Sequence, residues 1–319
     1  MVHIPVLLDR VVNLLAPEAG QTVVDCTAGL GGHAAAIASR VGPTGRVVLN
    51  DLDSTNLARA GERVRAVLAQ QGGEPDRVLT IHGNFADLPR ELEARNIRAH
   101  MVLADLGFAS TQVDDADRGF SFQRDGPLDM RMNQTAGITA AELVASLPEN
   151  ELTRVFKELG EEPNARRIAA RIVQARQEKP ISTTLELAVL VREAVGSGRS
   201  GPGRGAIDPA TKTFQALRML VNDELGGIEA FLAGVAQGAR DATRGRGWLE
   251  PGSRVAVIAF HSLEDRPVKR AFAELAGEGI VEHLTPGPAS PDEREVAENA
   301  RSRSARLRAI RLAGGAQRA

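Results

Sequence analysis

The chain has 319 residues, of which 43% are hydrophobic and 25% charged, a globular composition with material for one large or two medium domains. A formal charge of −2 offers no global basic field for nucleic acid, and one cysteine excludes an internal disulfide framework or cysteine metal cluster. No apolar run reaches the roughly 18 residues of a membrane span and no basic-then-apolar leader is seen, so a soluble protein of the reducing cytoplasm is expected.

Short apolar runs bounded by turn residues predict strands at 22–26, 46–50, 78–82, 101–105 and 254–260. Helical patterns fill 34–40, 54–70 and 86–95 between the first four. Strand starts recur every roughly 23 to 32 residues, the rhythm of a parallel sheet built from βαβ units. That rhythm then stops, and about 150 residues separate Asp105 from Ser253, far more than one crossover needs. Helix-start signals crowd the gap. Thr139 with Glu142 and Thr183 with Glu186 have capping-box spacing, and Asp208-Pro209 suits an N-cap followed by Pro. Helices are expected near 140–147, 149–159, 164–178, 184–195, 210–224 and 227–242. The expected organisation is an all-helical domain, 112–215, inserted into an α/β domain made of 1–111 and 216–319. A flexible basic loop, Gly196 to Gly205, lies inside the insert. After the fifth strand come a helix at 262–276, a short run at 280–284, a Pro/Glu-rich loop and an alternating segment at 304–312. Seven strands closing on an antiparallel hairpin fit this order.

Thr22-Val-Val-Asp25-Cys26-Thr27-Ala-Gly29-Leu-Gly31-Gly32-His33 reads as a strand that breaks into a glycine turn and then a helix. Glycine lets a backbone approach a ligand closely. Asp51, ending the next strand, can accept hydrogen bonds from both hydroxyls of a ribose. The turn is not the dinucleotide GxGxxG, and Asp25 ahead of it would repel a pyrophosphate. Both details favour S-adenosylmethionine over NAD, although the turn alone leaves an NAD-dependent oxidoreductase open.

Asp105, ending the fourth strand, should face the same crevice and could orient or deprotonate an amino group. His261, ending the fifth, is a candidate general base. Ser262 and Asp265 read as a cap for the following helix, and a metal site from His261, Glu264 and Asp265 is disfavoured because three ligands would have to converge from one turn. Cys26, inside the first strand, reads as a small buried hydrophobe. The segment 117–132 mixes charge, glycine and Phe/Met without period, as a functional lid would. Basic residues gather at Arg166, Arg167, Arg171, Arg176 and Lys179, at Arg199, Arg204 and Lys212, and at Arg301, Arg303, Arg306, Arg308 and Arg311. Such local clusters suit phosphate contacts or, for Arg306 and Arg308, an exposed sheet edge. With no Tyr, one Trp and nine Phe, an aromatic platform for single-stranded nucleic acid is not expected.

In combination these segments closely resemble the bacterial S-adenosylmethionine-dependent 16S rRNA cytosine-N4 methyltransferases. The matching words are His3-x-Pro5-Val-Leu-Leu8, Gly31-Gly32-His33, Asp51-x-Asp53, His82-Gly83-x-Phe85, Asp105-Leu-Gly107, Arg118-Gly-Phe-Ser-Phe122, Asp125-Gly-Pro-Leu-Asp-Met-Arg-Met132, Gly160-Glu-Glu162, Pro209-Ala-Thr211, Phe214-Gln-Ala-Leu-Arg218 and Phe260-His-Ser-Leu-Glu-Asp-Arg266. The resemblance implies a Rossmann-like, seven-stranded class I methyltransferase sheet with an inserted helical domain. It implies methylation of N4 of one cytidine in the small-subunit decoding centre, with 16S rRNA as partner and neither DNA nor membrane. It also implies cofactor contacts at Gly31, Gly32, His33, Asp51, Phe85, Asp105 and Gln112, with Phe85 flanking the adenine, and no metal. Asp105 and His261 remain the catalytic candidates, and a dimer is compatible with the chain. The sequence departs from the family at Ala34, Asp208 and Ala300, and the stretch between Ala276 and Asn299 is short.

Overall fold

The computed structural model describes residues 4–196 and 208–314. His3 and most of the glycine-rich loop, with Arg199 and Arg204, lie outside the described residues. In chain order the elements are α1 (Leu8–Leu15), β1 (Thr22–Asp25), α2 (Gly32–Val41), β2 (Arg46–Asp51), α3 (Ser54–Ala69), β3 (Val78–His82), α4 (Leu88–Ala94) and β4 (Ala99–Asp105). Helices α5 (Ser110–Asp114), α6 (Ala140–Ser146), α7 (Glu149–Glu158), α8 (Ala165–Glu178), α9 (Thr184–Val195), α10 (Ala210–Val221) and α11 (Glu224–Ala242) follow. The chain closes with β5 (Leu249–Ala259), α12 (Ser262–Gly277), β6 (Val281–His283), α13 (Glu293–Glu298) and β7 (Arg306–Leu312).

Two compact units result, Met1–Gly107 with Leu225–Ala319, and Phe108–Glu224. In the first, the strands form one sheet in the order β3-β2-β1-β4-β5-β7-β6. All pairs are parallel except those made by β7, which runs antiparallel to β5 and β6. This is the Rossmann-like seven-stranded arrangement. Strand β1 pairs with both β2 and β4, so the strand order reverses there and a crevice opens beyond their carboxyl ends. The strands are near-continuous Val/Ile/Leu/Ala because both faces are covered. One face packs Val11, Leu15, Ile37 and Val64 of α1–α3, and the other packs Leu92, Phe231, Trp248 and Phe272 against α4, α11 and α12.

The second unit is helical around its own core of Leu152, Phe156, Ile168, Leu187 and Leu217. Both expected capping boxes form. The Thr139 hydroxyl accepts from Glu142 N–H while Glu142 accepts from Thr139 N–H, and Thr183 and Glu186 do the same. Asp208, one of the departures, also has a local role: its carboxylate accepts from Ala210 N–H at 2.8 Å and pairs with Arg192 at 2.9 Å.

Several elements depart from the pattern. Helices α1, α5 and α13 carry too few turns for a periodic signal. Strand β5 starts several residues early, across Pro251-Gly252, where register shifts against β4 hide the alternation. Arg306 and Arg308 do not mark an exposed edge, because β7 lies between β5 and β6. Among the described residues, no helix is long and apolar enough to cross a membrane.

Trp248 is 1% exposed and its indole N–H donates to Gly234 O at 3.2 Å. Trp248→Ala should destabilise the chain by ~3–5 kcal/mol, the usual cost of emptying an aromatic core position. Urea unfolding would show it as a lower midpoint at similar slope.

Candidate active site

The glycine turn starts from the end of β1 and is wired to the neighbouring strand ends. Gly29 N–H donates to Asp51 Oδ2 at 2.7 Å, and Thr27 Oγ1 accepts from Asp105 N–H at 2.7 Å. Thr27 N–H in turn donates to Asp25 Oδ1 at 3.2 Å. Gly29 and Gly31 have φ of +51° and +73°, where a side chain is strained. Packing within the protein adds a demand of its own. A Cβ on Gly31 would lie 2.9 Å from Ala60 Cα of α3, and one on Gly32 2.4 Å from Pro5. These two glycines therefore also serve helix packing, in addition to any ligand.

Three carboxylates end β1, β2 and β4: Asp25, Asp51 and Asp105. Burial pushes Asp25 up to about 7, opposed by the Thr27 amide and helped by the Asp51 charge. Burial likewise pushes Asp51 up to about 6 against the Asp53 and Gly29 amides. Asp105 is held well above the usual carboxylate range, by burial first and then by the charges of Asp25 and Glu264. Asp105 Oδ1 has no hydrogen-bond partner. Its Oδ2 lies 3.8 Å from His33 Nδ1, and His33 Nε2 is 2.8 Å from Val6 O. A carbonyl only accepts, so Nε2 carries a proton, and in the neutral ring the Nδ1 lone pair turns toward Asp105.

His261 is the N-cap of α12 directly after β5. Glu264, 1% exposed, accepts from Phe260 N–H at 2.8 Å and His261 N–H at 3.3 Å, and its other oxygen is 3.2 Å from His261 Nε2. The expected Ser262/Asp265 cap is thus corrected. Glu264 holds the helix start, while Asp265 pairs with Arg308 at 2.6 Å and Arg306 at 3.4 Å. Burial raises Asp265, but these two guanidinium groups outweigh it and hold it below the usual range. Glu264 and Arg308 were missed because their roles depend on contacts between strand and helix. The Phe260-to-Arg266 word was the only available signal.

Phe85 follows β3 and packs edge-on against Phe231 with centroids 5.5 Å apart. Asp53 caps α3, accepting from Thr55 and Asn56 amides. Cys26 is 1% exposed in the core, and burial pushes its thiol well up. Gln112 belongs to the helical unit, where its side chain accepts from Ala109 N–H at 2.9 Å. The structure thus groups Gly31, Gly32, His33, Asp51 and Asp105 at one sheet edge. The basic clusters are largely engaged: Arg171 with Glu193, Lys179 with Glu186, Arg176 on Val144 and Leu147 carbonyls, and Lys212 on Glu161 O. Arg166 and Arg167 are exposed.

An edge whose acids are all raised suits a cationic ligand and rejects an anionic one. S-adenosylmethionine, with its sulfonium and ammonium groups, fits; a pyrophosphate does not. The reversal at β1/β4, the glycine turn, the acid ending β2 and the antiparallel last strand define a class I S-adenosylmethionine-dependent methyltransferase. Sequence comparison gives the narrower grouping: residues 1–313 match the MraW methylase family model, and the chain belongs to that family. It is 45% identical to Ribosomal RNA small subunit methyltransferase H of Syntrophotalea carbinolica, covering 97% of each chain. The relatives of that name from Acidobacterium capsulatum (43%, covering 96% of this chain and 97% of the relative) and Streptomyces avermitilis (40%, covering 99% and 96%) are similar over as much of their length.

The raised carboxyls give a test in the absence of cofactor. Folded Asp25 and Asp51 keep protons to higher pH than in the unfolded chain, so the folded state binds more protons between the ordinary 3.8 and about 7. Stability should be greatest below that window and fall as pH rises through it. Asp25→Asn should flatten the fall by an amount on the order of several kcal/mol. Thermal unfolding at acid and neutral pH would read it; a variant retaining the full fall would contradict the assignment.

Proposed function

We propose that this protein transfers the methyl group of S-adenosylmethionine to the exocyclic N4 of a specific cytidine in 16S rRNA of the small ribosomal subunit, in the cytoplasm. The acid-lined edge of the sheet carries this reading, and the names of the full-length relatives supply the substrate. Gly31, Gly32, His33, Asp51, Phe85, Asp105 and Gln112 would hold the cofactor, with Asp51 on the ribose and Phe85 on the adenine. The helical unit, Phe108–Glu224, would recognise the RNA.

When bound, S-adenosylmethionine supplies an electrophilic methyl on a positive sulfur. Cytosine's amine is a weak nucleophile because its lone pair is delocalised into the ring, so positioning must contribute most of the acceleration. A base reached this way has left its stack. Asp105 accepts a hydrogen bond from the amine, aligning the remaining lone pair, and takes the proton released as the C–N bond forms. Its raised proton affinity favours that transfer. His33 Nδ1, beside Asp105 Oδ2, stands ready to share the proton. His261, steered by Glu264, is the second candidate acceptor.

Asp105→Asn should lower turnover at saturating cofactor by ~10²-fold or more, the lower end for a positioned acid–base group. Near-normal turnover would remove the carboxylate from the mechanism. Asp51→Ala should weaken cofactor binding by ~1.5–3 kcal/mol, the scale of hydrogen bonds to a charged group, as read by calorimetric titration. The substrate itself is tested by offering labelled cofactor to naked 16S rRNA, small subunits and whole ribosomes. The labelled nucleotide is then mapped by nuclease digestion and mass spectrometry. Label on another base, or none, would refute the assignment.

A further inference from the structure

Nine phenylalanines are few for 319 residues, yet three of them, Phe108, Phe120 and Phe122, fall within fifteen positions of one another. Within the helical unit, Phe108 and Phe120 stack with centroids 6.0 Å apart and planes at 26°. A guanidinium lies beyond each ring. Arg218 Cζ is 4.4 Å from the Phe108 centroid and Arg118 Cζ is 5.8 Å from that of Phe120.

Both cations are fixed from behind. Arg218 is clamped by Glu224 through Nε–Oε1 at 2.7 Å and Nη2–Oε2 at 2.8 Å, with the two side chains only 11% and 9% exposed. Such a bidentate pair sets the plane of the guanidinium as well as its position. Arg118 donates to the carbonyls of Arg131 and Met132 at 3.1 and 2.8 Å. Despite this support, Phe108 is 42% exposed, among the largest apolar side chains left in solvent. It stands three residues along the chain from Asp105.

A ring held rigidly between planar groups and left uncovered is what stacking with an unpaired base requires. An apolar peptide would gain nothing from cations fixed at both ends of the stack, whereas an electron-rich base on a phosphate chain does. We propose that Phe108 is a stacking seat for an unpaired base of the RNA, and that Arg218, locked by Glu224, is the positioning residue that orients its ring. This rests on the rRNA reading above. Scarcity of aromatic residues in the whole chain hid a local concentration of them.

The test measures binding to, and methylation of, small subunits from cells lacking the modification, using Phe108→Ala, Phe108→Leu, Phe108→Trp and Arg218→Lys. Phe108→Ala and Phe108→Leu should raise the KM for subunits by about five- to a hundred-fold, the range for losing one stacked base. Cofactor affinity should stay unchanged, and Phe108→Trp should remain near wild type. Arg218→Lys keeps the charge but not the fork, and should raise that KM with kcat held. Phe108→Ala within twofold of wild type, or Phe108→Leu as good as Phe108→Trp, would overturn the seat. Arg218→Lys that only lowers Tm would overturn its positioning role. Wild-type protein that transfers no methyl to subunits would instead sink the functional reading.

Discussion

Negative charge confined to one sheet edge is the constraint on which the site depends. Asp25, Asp51 and Asp105 end three adjacent parallel strands, and each is tied to the glycine turn by a backbone or hydroxyl bond. Burial deprives them of water, and the turn supplies too few donors to satisfy them. The folded chain therefore stores unfavourable electrostatics where the cofactor is expected, and a cation relieves it. Affinity for a sulfonium and intolerance of phosphate become two aspects of one arrangement. The same field links donor to base, because a bound cation lowers the proton affinity of Asp105 and readies it to accept.

Around that edge, many polar residues have structural work that limits their chemistry. Glu264 holds two amides and a histidine; Asp265 holds two arginines; Asp53 caps a helix. Gly31 and Gly32 are required by the close approach of Ala60 and Pro5. A site residue here is therefore defined by what its neighbours leave unsatisfied. By that measure Asp105, with one oxygen lacking a partner, stands apart from the other acids.

Most of the parallel sheet was legible because each strand is a short, unbroken apolar run with a turn residue at each end. The capping boxes at Thr139 and Thr183 located helix starts to the residue. What escaped had physical reasons. Helices α1, α5 and α13 are shorter than a periodicity can register, and the early part of β5 carries a Pro-Gly pair. The charged clusters were legible as clusters but not as pairs. Arg176 on two carbonyls and Arg308 on Asp265 depend on elements 30 to 43 residues away, a distance at which spacing carries no signal. Asp25, Asp51 and Asp105 could be placed at strand ends, whereas their raised proton affinities depend on burial that only the fold reveals.

The two chain ends meet beside the glycine turn. Val6 O accepts from His33, Leu7 N–H is bound by Glu295 Oε1 at 2.5 Å, and Asn299 donates to Ile4 O. The residues made first by the ribosome are thus fastened by residues made almost last. Arg308, the partner of Asp265 beneath the His261 cap, emerges later still. The fastening of His33 and the support below His261 are completed only when nearly the whole chain has been synthesised, so a truncated product would carry an unfinished edge.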